Sequence, residues 1–121
     1  MPIKRRLQSF QYAFQGVFHL FATQPNARIH GIAAILVTAA GWYFNLHHLE
    51  WALLFLSIGM VVAAEACNTA IEELTNLVSP EIRPQAGRVK DVAAAAVLLS
   101  ACAAALVGLV IFAPRLYTLF W

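Results

Sequence analysis

Charge is scarce in this sequence, with 8 Lys and Arg and 6 Asp and Glu among 121 residues. A soluble domain of this length needs about half its residues polar to cover its surface, and here 61% are hydrophobic. With a mean hydropathy of +0.71, an ordinary water-soluble fold is excluded, because it would expose large apolar patches and aggregate. Cysteine is equally thin. Cys67 and Cys102 stand alone inside apolar runs, so neither a disulfide framework nor a CxxC zinc site has support. The N-terminal cations Lys4, Arg5 and Arg6 are not followed by an apolar core with a small-residue cleavage site, and no cleavable signal peptide is expected. A net charge of only +2, spread along the chain, argues against a nucleic-acid partner. A glycine-rich phosphate loop and a protein-kinase signature are both missing, so a nucleotide would need some other seat.

What the sequence does have is long apolar runs. Leu7, Phe10, Phe14, Val17, Phe18 and Phe21 recur every three or four residues, which predicts an amphipathic helix over about 4–22, too short and too polar on one side to cross a bilayer and suited to its surface. Pro25 breaks this pattern and opens the next helix. Three spanning helices are expected, over about 27–46, 50–78 and 88–113. The first ends in Trp42, Tyr43 and Phe44, an interfacial belt. The second exceeds the roughly 20 residues a bilayer requires. The third, from Val92 to Ala113, has Ser100 as its one polar side chain and provides about 33 Å of helix. Pro80 and Pro84 mark a loop over 79–87. The reading is one domain over 1–121, all-α, an integral membrane protein with three transmembrane helices plus the N-terminal surface helix. Every Lys and Arg except Arg115 lies near the N-terminus, at Arg28 or in the 79–90 region. By the positive-inside rule those segments face the cytoplasm.

At 100° per residue, Glu65, Asn68, Thr69, Glu72 and Asn76 fall within about a 100° sector of the second span. A carboxylate placed in a bilayer costs about 2.5–3.5 kcal/mol on insertion scales, so Glu65 requires a partner or a task. The structural alternative is a stripe that merely hydrogen-bonds neighbouring helices. The functional one adds Arg88, Lys90 and Asp91 at the start of the third span, where cations can meet phosphates. Glu72 can then hold a divalent metal through oxygen, and Glu65, deeper among apolar residues, suits a general base.

Glu65-Ala-Cys-Asn68-Thr-Ala-Ile-Glu72, then Val78-Ser-Pro-Glu81 and Gly87-Arg-Val-Lys90-Asp91-Val-Ala-Ala, together resemble the prokaryotic diacylglycerol kinase and undecaprenol kinase family. The resemblance runs from about Phe10 to Phe112 and takes in Tyr12, Gly16 and Pro25-Asn-Ala-Arg28-Ile-His30. It implies a homotrimer in the bacterial inner membrane that uses ATP and Mg²⁺ to phosphorylate a lipid alcohol, diacylglycerol or undecaprenol, at the cytoplasmic interface. It also implies Glu65 as the base toward the lipid hydroxyl and Glu72 as metal ligand and nucleotide contact. Tyr12, Asn68, Glu81, Arg83, Lys90 and Asp91 would bind the nucleotide. Arg83 stands where some members have histidine.

Two departures bear on the metal. Gln24 occupies the position of a second metal-binding glutamate, and Asn76 that of an aspartate one turn beyond Glu72. Each amide keeps an oxygen and loses a charge. The competing function is therefore a catalytically weak relative that binds lipid or a partner through the same bundle. His19, His30, His47 and His48 are not at metal-ligand spacing, and Glu73 is expected to be solvated or paired at the interface.

Overall fold

The computed structural model describes residues 2–121 and consists of four helices: α1 (Ile3–Thr23), α2 (Pro25–Phe44), α3 (His48–Val78) and α4 (Pro84–Phe120). The described residues form no strand. Helices α2, α3 and α4 are each long and apolar enough to cross a membrane. Helix α3, at 31 residues, extends about 47 Å, well beyond the roughly 30 Å of bilayer hydrocarbon. Its last turns, with Glu72 and Asn76, thus project past the apolar slab if its start lies at the opposite face.

Local chemistry sets each junction. Gln24 alone separates α1 from α2, its N–H bonding the Leu20 carbonyl at 2.9 Å, and Pro25 starts α2 where its missing N–H costs nothing. Arg28 reaches back over this corner and donates to the carbonyls of Phe21 and Ala22. A cation thereby satisfies the terminal carbonyls of α1. Asn45 ends α2 in the left-handed region at φ 53, a conformation asparagine tolerates. His47 and Glu50 then cap α3 reciprocally: the His47 ring accepts from the Leu49 N–H and Glu50 accepts from the His47 N–H at 3.1 Å.

Packing is concentrated at the end of the bundle that holds this turn. Leu46, Leu54 and Ile111 form the core, flanked by Phe44, Trp51 and Phe112. Gly41 permits that approach, because a Cβ there would lie 2.8 Å from the Trp51 ring. Glu50 and Arg115 fasten α3 to α4 beside this core with two hydrogen bonds of 2.6 Å, and Arg115 also donates to the Ile111 carbonyl. Arg115→Ala should therefore lower the melting temperature in detergent, since it leaves Glu50 without its bidentate partner, while the KM for ATP stays unchanged.

The helix that carries the third expected span, 88–113, runs from Pro84 to Phe120. Pro84 does not belong to a loop but is the first residue of α4, with Arg83 as its N-cap, and Pro114 lies inside the helix. A proline at the first helical position leaves no donor unpaired. Pro114 removes one hydrogen bond without ending the pattern, and the chain continues to Phe120. The connection between α3 and α4 is thus 79–83, shorter than the 79–87 expected.

Helix α1 is exposed from Ile3 to His19 and packs through Leu20 and Phe21. The accessible surface of the chain is 9167 Å², against roughly 6,500 Å² for a soluble monomer of the same mass. Leu36, Leu56, Leu99 and Val110 are among many large apolar side chains left bare. Such a surface needs lipid or further copies of the chain to cover it.

Candidate active site

The acidic stripe lies on the face of α3 that turns inward. Glu65 is 1% exposed, Thr69 4% and Asn68 8%, whereas Glu72 is half-buried and Asn76 exposed. The stripe thus runs from a sealed carboxylate to an open amide. Three of its atoms, Glu65 Oε2, Asn68 Oδ1 and Thr69 Oγ1, are buried without a hydrogen-bond partner among the described residues. A buried polar atom left unpaired costs about 1–3 kcal/mol, and three on one helix face are hard to reconcile with a purely structural stripe.

Two neighbours reach this face from other helices. On α2, His30 places Nε2 3.7 Å from Glu65 Oε2. On α4, Lys90 donates from Nζ to Asn76 Oδ1 at 2.6 Å, bringing a cation to the open end of the stripe. Placement in the first turns of α4 gives Lys90 this reach, a consequence of the helix beginning at Pro84.

The other residues expected at the site are less gathered. Arg83 donates to Glu81 at 3.1 Å in the 79–83 connection, both side chains exposed. Tyr12 on α1 and Asp91 on α4 are exposed. Among the described residues, neither forms a hydrogen bond to the stripe. Gln24 sits at the α1–α2 corner, half-buried, and its side chain does not cap α2.

Three pairings escape a reading of spacing alone. His30 meets Glu65, Arg28 holds the end of α1, and His19 pairs with Glu73 at 2.7 Å, which ties α1 to α3. Their sequence signal is weak: single polar residues in or beside an apolar run.

Among the described residues no group of three or more His, Cys, Asp and Glu could hold a metal by itself. Mg²⁺ does not demand one, since it takes one or two carboxylates and completes its shell with water and phosphate oxygens. A half-buried Glu72 near the open end of the stripe fits that chemistry, and Gln24 would offer an uncharged oxygen.

Comparison with known proteins agrees with this architecture. The family described as "Prokaryotic diacylglycerol kinase" matches residues 11–112. An undecaprenol kinase of Bacillus subtilis is 36% identical over 114 residues, covering 94% of this chain and 93% of its own. A diacylglycerol kinase of Synechocystis is 39% identical over 114 residues, 93% of this chain and 65% of the longer relative. A diacylglycerol kinase of Escherichia coli is 26% identical over 96 residues, 79% of each chain. With a match over most of its length and relatives above 30% identity, the chain belongs to the prokaryotic diacylglycerol kinase family.

Proposed function

We propose that the protein is a lipid kinase of the bacterial inner membrane, transferring the γ-phosphoryl group of ATP to the hydroxyl of a membrane lipid alcohol, diacylglycerol or undecaprenol. The observation that carries this reading is the trio of buried, unpaired oxygens on Glu65, Asn68 and Thr69. In a family of kinases such a cluster is best understood as a site awaiting substrate. Its depth suits a lipid hydroxyl that stays close to the hydrocarbon, while ATP approaches from water at the open end.

In this reading Glu65 accepts the proton of the attacking hydroxyl, a task that calls for a carboxylate oxygen not already held in a hydrogen bond. Asn68 orients the transferring group by hydrogen bonding. Lys90, held by a neutral amide and not by a carboxylate, keeps its full charge for the phosphates. Tyr12, Glu81, Arg83 and Asp91 contact the nucleotide from α1, the connection and α4. Glu72 would hold Mg²⁺ together with the phosphates, with Gln24 as a weaker oxygen donor, and the ion when bound would neutralise charge on the β- and γ-oxygens. A homotrimer would cover part of the bare apolar surface, and the cation distribution supports a cytoplasmic N-terminus and 79–90 region. ATP consumption by the purified protein in detergent should rise on addition of bacterial lipid extract. No stimulation by any lipid fraction contradicts the reading.

Gln24 favours the second reading, a weak relative, because Mg²⁺ binds less tightly to an amide than to a carboxylate. If the enzyme is active, Gln24→Glu should lower the magnesium concentration needed for half-maximal rate. A wild type silent at all magnesium and manganese levels, with a variant that gains activity, identifies the natural chain as the weak relative. An unchanged requirement in an active enzyme removes Gln24 from the metal site.

A further inference from the structure

Beside the base stands an imidazole that makes no hydrogen bond to it. His30 lies on α2, across from the stripe, with its Nε2 3.7 Å from Glu65 Oε2. The carboxylate is sealed, its side chain 2% exposed, whereas the imidazole is 23% exposed. The same ring lines one end of a cavity of about 260 Å³ between α2, α3 and α4, whose walls are otherwise apolar apart from Ser57. The Ser57 hydroxyl is already committed to the Leu53 carbonyl. His30 is thus a partly exposed titratable group next to a sealed carboxylate.

A sealed base has a difficulty that an exposed one does not. After taking the hydroxyl proton, Glu65 must lose it before the next turnover, and the surrounding α3 residues Val61, Val62, Asn68 and Thr69 have no basic nitrogen or carboxylate to receive it. Imidazole suits the task, because one ring nitrogen can accept a proton while the other releases one. The separation exceeds a hydrogen bond, but catalytic contacts that are long without substrate commonly tighten when it binds.

From this geometry, and resting on the assignment of Glu65 as the base, we infer that His30 is the proton relay that resets Glu65. The lipid hydroxyl oxygen forms its bond to the γ-phosphorus as the bond to the β-phosphate oxygen breaks, and ADP leaves with that electron pair. The hydroxyl proton passes to Glu65. Glu65 then passes it to Nε2 of neutral His30, and the Nδ1 proton is released to water, so one proton appears per lipid phosphorylated.

The deciding variant is His30→Gln, which preserves volume and a hydrogen-bond donor but has no basic nitrogen. Together with His30→Ala, it should lower kcat by about 10²-fold, the low end of what a positioned proton-transfer group contributes, with KM for ATP unchanged. Imidazole added to His30→Ala should restore part of kcat, since the adjoining cavity gives it room. A His30→Gln kcat within about threefold of wild type overturns the relay, as proton transfer by a positioned group is worth more than that. So does a raised KM for ATP without imidazole restoration, which assigns His30 to packing. Glu65→Gln measured in parallel separates the two ideas: if it is inactive while His30→Gln is not, the relay alone fails, and if it is fully active, the base assignment fails with it.

Discussion

Glu65→Gln loses at least about 10²-fold in lipid phosphorylation while retaining helical content and oligomer size, because loss of a general base typically costs 10²–10⁴. The substitution keeps the side-chain volume, and at a position 1% exposed that is the condition for reading its effect as chemistry. A larger change would create a cavity, and an aspartate would withdraw the carboxylate by a methylene. Glutamine has neither effect but cannot accept the hydroxyl proton. The loss should fall on kcat and leave KM for ATP alone, since the proposed nucleotide seat lies at the other end of the stripe. Retention of more than about a tenth of the wild-type rate is incompatible with Glu65 as base, given the usual size of the effect.

Lys90→Ala raises the KM for ATP by about 10- to 100-fold, the equivalent of the roughly 1.5–3 kcal/mol of a hydrogen bond to a charged group. Its ammonium is held at 2.6 Å by the Asn76 amide oxygen. The neutral partner fixes its position without cancelling its charge. Asn76→Asp should therefore also weaken ATP binding, by a smaller factor, because a carboxylate in that place competes with the phosphates for the cation. This reverses what counting charges alone suggests, that a restored aspartate helps the site by strengthening a metal. Arg115→Ala, at the opposite end of α4, is the control that should leave ATP affinity untouched. Equal effects at Lys90 and Arg115 contradict the proposed polarity of the bundle.

Much of this architecture was legible in the residues themselves. Three runs of apolar side chains could be satisfied in only one solvent, and the stripe from Glu65 to Asn76 follows from helical spacing alone. The buried state of Glu65, Asn68 and Thr69 agrees with the inward-facing stripe. The ends of α4 were not legible, because proline signals a stop in general, yet Pro84 sits at the one helical position where it fits and Pro114 is carried through. Nor were the partners across helices. The pairs His30–Glu65 and Glu50–Arg115 depend on how α2 and α4 are rotated about their axes, and a helix apolar on nearly all sides carries no stripe that fixes this rotation; His19–Glu73 depends on how α1 folds back against α3. Spacing shows Arg115 only as the one cation outside the positive segments, whereas in the fold it joins α4 to the start of α3.

That same placement separates the two halves of the molecule by task. Packed apolar side chains and the Glu50–Arg115 pair hold the end with the α2–α3 turn. Unpaired polar atoms collect toward the other, in the second half of α3. Stability and chemistry are therefore expected to respond to different substitutions, Arg115 governing the first and Glu65 and Lys90 the second.

In the proposed function, the stripe on α3 transfers phosphate to a lipid alcohol. The most direct measurement offers the purified protein γ-labelled ATP with undecaprenol and diacylglycerol in competition and follows the label by thin-layer separation. Label should appear in one or both lipids with wild type and vanish with Glu65→Gln. Label in neither lipid at any magnesium concentration, from a protein that remains folded, contradicts it.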